Sequence, residues 1–94
     1  MVKISLQKFG PTITNIYVAD KVFDIIINSK VREEQIKLDL EGIITMTTQC
    51  AKRIFGHLYK ELGSDIYYQN IVFENRSETL EMIIEMSIEE MNNS

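Results

Sequence analysis

The chain reads as an α/β fold of three strand-then-helix units in the order βαβαβα. Three observations predict it. The apolar residues switch repeatedly from a period of two to a helical period of about 3.6, capping or turn residues stand near the switches, and strands separated by helices can lie side by side only through crossovers. A small, largely parallel sheet with right-handed connections follows. Strict alternation in the first two strands places the helices mainly on one face and leaves the other open.

Taken in order, Val2, Ile4 and Leu6 alternate with Lys3, Ser5 and Gln7, a half-buried strand that ends before the Phe9–Gly10–Pro11 turn signal. A first helix is predicted from about Asn15 to Ser29, capped by Asn15, with Ala19, Val22, Phe23 and Ile26 on one face and Ile16, Val18, Ile25 and Ile27 widening the apolar arc. Ile36, Leu38 and Leu40 alternate with Lys37, Asp39 and Glu41 as a second strand stopping at Gly42. Ile43–Ile44 leads to Thr47 and Thr48, either of which caps a second helix facing inward through Ala51, Ile54, Phe55, Leu58 and Leu62, with Gly63 at its C′ position. A third strand, roughly Tyr67 to Glu74, is followed by a last helix opened by Ser77 and running to about Met91. No internal repeat, linker or low-complexity tract interrupts this order.

The 94 residues leave room for one domain, 1–94. With 45% apolar and 26% charged residues, the composition is that of a soluble globular chain. Its longest uncharged apolar run, Ile25–Ile26–Ile27, is far too short to cross a bilayer, and no signal peptide leads the sequence, so a cytoplasmic protein is expected. The single cysteine, Cys50, rules out an internal disulfide and fits a reducing compartment. A net charge of −4 argues against nucleic acid as a partner. That charge is unevenly spread: residues 1–76 carry ten basic and nine acidic groups, whereas 77–94 carry five glutamates and nothing basic.

The usual catalytic patterns are missing: the sequence has no glycine-rich phosphate loop, Cys-x-x-Cys, His-Glu-x-x-His or dinucleotide fingerprint. His57 is the only histidine and falls at the edge of the second helix's polar face, where a solvated side chain is expected. Cys50, in the first turn of that helix, reads as a small apolar residue. A non-enzymatic chain with no cofactor and no metal is expected.

Two surfaces stand out instead. Gln49, Lys52, Arg53, Gly56 and Lys60 lie opposite the inward face of the second helix. A glycine in an exposed helix interior costs about 0.5–1 kcal/mol relative to alanine. Gly56 therefore marks either a close approach by another backbone or a tolerated defect on a solvated face. On the last helix Glu78, Glu81, Glu85 and Glu89 form one stripe, with Met82 and Met86 beside it and Leu80, Ile83, Ile84 and Met91 turned inward. Like charges at i, i+4 and glutamates at the C-terminal end both oppose helix formation, so packing or a partner must hold this helix. The stripe reads as a secondary interaction surface or as a solvated face. The two helices could also neutralise each other within one molecule.

The stretch IKLDLEGIITMTTQCAKRIFG, residues 36–56, resembles the core motif of the STAS-like domain family of unknown function, STAS standing for sulphate transporter and anti-sigma factor antagonist. In that family a strand ending in an acidic-hydrophobic-Glu-Gly segment runs through a Thr/Ser-rich turn into a helix reading roughly Ser-Phe-Ala-Asp-Glu-Leu-Phe-Gly. KISLQKFG at 3–10, Gly63 and IVFEN at 71–75 also fit, so the resemblance spans nearly the whole chain through order and spacing.

The resemblance implies a STAS-like βαβαβα fold and a bacterial or phage regulatory module that works by protein–protein interaction and partner switching. Members of the wider group bind histidine-kinase-like ATPases, and phosphorylation of a hydroxyl before the second helix switches that binding. Here the switch serine is replaced by Gln49, leaving Thr47 and Thr48 as the nearby hydroxyls, and the family's acidic pair is replaced by Lys52 and Arg53. The inverted charge favours an acidic-surfaced partner. The expectation is a docking surface of Thr47, Thr48, Gln49, Lys52, Arg53, Gly56 and Lys60. Self-association of the basic and acidic helix faces, an inhibitor or immunity role, and a small-ligand binder or enzyme using the open sheet near Lys37, Asp39 or Glu41 are the alternatives.

Overall fold

The computed structural model describes residues 2–92, so the expected domain 1–94 runs past them at residues 1, 93 and 94, which lie outside the described residues. Among the described residues there are five strands: β1 (Val2–Ser5), β2 (Thr12–Ile13), β3 (Ile36–Asp39), β4 (Thr45–Met46) and β5 (Ile71–Glu74). The main sheet has the order β1-β3-β5 and is parallel throughout. The order advances in one direction, so right-handed crossovers lay the connecting helices on one face. Register explains which face they cover. Val2, Ile36 and Ile71 lie abreast, as do Ile4, Leu38 and Phe73, forming an all-apolar surface against the helices. Lys3, Lys37 and Val72, with Ser5, Asp39 and Glu74, make up the opposite face.

The strand that follows each alternating run is broken and then resumes. Leu6 N donates to Asp39 O and Leu40 N to Glu74 O, extending the ladder past β1 and β3. After turns containing a cis Gly10–Pro11 peptide and Gly42 at φ +84°, the chains pair again as the parallel β2 and β4. These two-residue strands are absent from the sequence reading, because so short a segment shows no period.

Helix α1 (Ile16–Ile27) begins as expected at Asn15, whose Oδ1 accepts from Tyr17 N at 2.8 Å. It buries Ala19, Val22 and Ile26; fully burying a side chain of Val or Ile size is worth about 1.5–3 kcal/mol. The second predicted helix is continuous but not uniform: α2 (Thr48–Ala51), a π-helical turn (Lys52–Gly56) and α3 (His57–Leu62) follow one another without a break. This central helix lies between α1 and α5 (Glu78–Asn92) and touches both. Gly63, at φ +83°, ends it, with its N–H donating to Tyr59 O at 2.9 Å.

A further helix, α4 (Ser64–Asn70), corrects the expected start of the third strand, which begins at Ile71 and not Tyr67. The aromatic pair Tyr67–Tyr68 reads as strand by propensity, but after the Gly63 break the chain re-enters a helix that buries Tyr67 against Tyr59. Ser77 opens α5 as predicted, its Oγ accepting from Leu80 N at 3.2 Å. Leu80, Ile84, Ser87 and Ile88 are its buried residues, while Ile83 and Met91 are half-buried. Among the described residues no helix is long and apolar enough to cross a membrane.

Candidate functional site

Pairing of β2 with β4 brings two helix N-termini side by side. Ile44 N donates to Pro11 O at 2.7 Å and Thr47 N to Ile13 O at 3.1 Å, so the segments that lead into α1 and α2 are held in one ladder. Thr47 Oγ1 accepts from Cys50 N at 3.1 Å, which makes Thr47 the N-cap and fixes its hydroxyl. Thr48 and Gln49, in the first turn, are exposed. Neither α1 nor α2 has an acidic residue in its first turn to offset the partial positive charge of its helix end. Two large apolar side chains flank it in the open: Tyr17 is 74% and Ile44 67% exposed.

Arg53 faces α1 and forms a two-pronged pair with Asp20, Nε donating to Oδ1 at 2.9 Å and Nη2 to Oδ2 at 2.8 Å. These bonds hold the Asp20 carboxyl below its usual range and raise the guanidinium. The pair forms one wall of a cleft of about 610 Å³ lined also by Phe23, Asp24, Lys52 and His57. His57 is exposed, as expected, and stacks on Phe23 with ring centroids 3.9 Å apart and planes 1° from parallel; its Nε2 lies 3.5 Å from Glu61 Oε1. Cys50 is fully buried, in keeping with an apolar role.

The basic face is therefore only partly available. Thr47, Thr48, Gln49, Lys52, Arg53 and Lys60 are exposed, but Lys52 is ion-paired with Glu90 of α5 and Arg53 with Asp20. Lys60 makes no ion pair among the described residues. The Lys52–Glu90 contact is the intramolecular neutralisation between the two helices. Gly56 is a correction: it is buried, not exposed. A Cβ there would stand 2.8 Å from Met91 Cγ and 3.3 Å from Ser87 O, so the backbone approaching it is that of α5 in the same chain. The π turn causes the error, because its wider winding shifts the phase of a regular helical wheel and buries Ile54, Phe55 and Gly56 consecutively.

On α5, Met82 and Met86 are exposed as the stripe predicts. Glu81 lies 3.7 Å from Arg76 Nη2, Glu85 accepts from Tyr68 Oη at 3.4 Å, and Glu78 makes no ion pair among the described residues. The open sheet face is occupied by linked charges. Lys3 Nζ lies 3.8 Å from Asp39 and 3.6 Å from Glu74, and Lys37 Nζ 3.9 Å from Glu74. Asp39 Oδ1 also accepts from Asn75 Nδ2 and Glu41 N, both at 2.9 Å, bonds that lower its carboxyl. No group of three or more potential metal ligands occurs among the described residues.

Sequence reasoning missed Tyr17, Ile44 and Asp20. Tyr17 carried a usable signal, since it lies off the apolar arc of its own helix. Ile44 and Asp20 join the surface only through pairings distant in sequence.

Architecture and surface together define a one-sided parallel α/β module with the N-termini of α1 and the central helix side by side. Residues 18–81 match the family described as a STAS-like domain of unknown function, and the chain belongs to that family. No curated protein and no solved structure matches it.

Proposed function

We propose that the protein is a non-enzymatic interaction module that docks an acidic-surfaced partner protein on the end where α1 and the central helix begin. The observation that carries this reading is the exposed pair Tyr17 and Ile44 beside two helix N-termini whose first turns carry no carboxylate. Apolar anchors beside two positive helix ends suit an acidic surface, with Lys52 and Arg53 bordering them as members of the Glu90 and Asp20 ion pairs. Thr47, Thr48, Gln49, Lys52 and Arg53 belong to this patch, whereas Gly56 supports it from within. A histidine-kinase-like ATPase, the partner class implied by the family resemblance, fits only if its docking surface is acidic.

Regulation follows from the hydroxyls. Thr47 is engaged as a cap and Gln49 stands where the switch serine is expected, so Thr48 is the residue we assign to phosphorylation. A phosphate there adds about −1.5 to −2 charges to the positive end. Self-association through the basic and acidic helix faces is less well supported, because Lys52 and Arg53 already have partners within the chain.

Affinity capture from the source cells with wild type and with the pair of single variants Tyr17→Asp and Ile44→Asp tests the docking end. Both side chains are largely exposed, so the fold should persist, as circular dichroism would verify. Recovery of the bound protein should fall about tenfold or more for each variant. Unchanged recovery would place the docking surface elsewhere.

A further inference from the structure

The face that α4 and α5 present away from the core is a second surface, and its chemistry differs from the first. Tyr68, Met82 and Met86 are 54%, 62% and 44% exposed. Met82, Glu85, Met86 and Glu89 follow the spacing i, i+3, i+4, i+7, one continuous strip of a helix. The Tyr68 hydroxyl donates to Glu85 across the junction of the two helices, joining α4 to that strip. Burial, followed by the nearby Glu85 charge, raises the Tyr68 phenol, and Glu89 adds to it, so these carboxylates and the ring share one patch.

We propose that this patch receives a cationic amphipathic helix from a partner protein. The methionines are adaptable apolar contacts able to shape themselves to Leu or Phe anchors. The rim around them is acidic and only partly counter-charged: Arg76 faces Glu81 and Lys52 pairs with Glu90, but Glu78 and Glu89 have no ion pair among the described residues, and the last turn of α5 has no basic residue. Glu85 and Glu89 repel across one turn, and Glu89 and Glu90 sit at the negative end of the helix dipole. Lys or Arg side chains flanking an apolar stripe would relieve both conflicts. A second copy of this chain is a poor occupant. Among its described helices α5 carries no cation, α1 carries only Lys21, and the central helix has two of its cations, Lys52 and Arg53, already paired. This inference does not depend on the docking end at Tyr17 and Ile44.

The test uses the intact protein with its methionine methyls labelled with carbon-13, titrated with a synthetic Leu/Lys amphipathic peptide of about 18 residues, some five helical turns. Saturable shifts of the Met82 and Met86 methyls are expected, with buried Met46 as the unmoved control. Met82→Ser/Met86→Ser should weaken the peptide about tenfold, and Glu85→Gln/Glu89→Gln should weaken it and reduce its salt dependence. A peptide of the same composition in non-amphipathic order should bind about tenfold more weakly. Equal binding of the scrambled peptide, or shifts that fail to saturate, or full affinity in the methionine variant, would overturn the proposal.

Discussion

A methyl group added at Gly56 would meet Met91 Cγ at 2.8 Å and the Ser87 carbonyl at 3.3 Å. Methionine is a flexible side chain, but the backbone of α5 does not yield as readily. Two effects of Gly56→Ala oppose each other: alanine gains about 0.5–1 kcal/mol of helix propensity, and overpacking a fitted contact costs about 1–3 kcal/mol. The contact is expected to win, so the variant should be less stable by about 1 kcal/mol in urea unfolding. The sign is diagnostic, since an exposed glycine would give stabilisation instead. Residue-scale features set by local bonding, the caps Asn15 and Ser77 and, as one of two adjacent threonines, Thr47, were legible in the sequence because each needs only its own first turn. Gly56 was not, because its orientation depends on a π turn that no spacing rule anticipates.

At the scale of elements, the ends of β3 and β5 are joined by one carboxylate. Asp39 is buried, accepts from Glu41 N on its own strand's continuation and from Asn75 Nδ2 just past β5, and lies near Lys3 of β1. Asn75 itself is held at φ +56°, a region uncommon for residues other than glycine. The hydrogen bond from Asn75, then that from Glu41, lowers the Asp39 carboxyl from its ordinary 3.8. A carboxyl lowered by folding contributes stability that is fully present above its unfolded value, and this is lost as pH falls through the lower, folded value. Below about pH 4 the protein should therefore lose stability, and Asp39→Asn should flatten that decline when urea midpoints are followed across the acid range. Parallel curves for the two proteins would remove Asp39 from the effect. Elements with a clear period were readable, as the strands around Ile36–Leu38 and the helices α1 and α5 show. α4 was not, because its tyrosines favour strand by composition and only the break at Gly63 and packing on Tyr59 make it helical.

Across the whole molecule, a net charge of −4 conceals two surfaces of opposite character. One gathers two helix N-termini beside Tyr17, Ile44 and Arg53, the other carries the α5 glutamates, and they meet where Lys52 pairs with Glu90. Half of the docking end was visible as the run from Thr47 to Arg53, since those residues are neighbours in sequence. The other half arrives from residues 11–20 through β2–β4 pairing, which no local pattern reports. A single substitution separates the structural from the functional role of this end. Thr48→Glu places a carboxylate in the first turn of the central helix, where it favours the helix dipole by about 0.3–1 kcal/mol. The same charge stands where the proposed acidic partner would dock and would reproduce part of the effect of the proposed phosphorylation. The variant should melt at the same temperature or slightly higher while its partner recovery drops about tenfold. Stability and binding moving in opposite directions would identify a surface kept positive for recognition and not for folding. Retained binding with raised stability would instead reduce the helix N-termini to ordinary caps and leave the acidic α5 face as the surface to pursue.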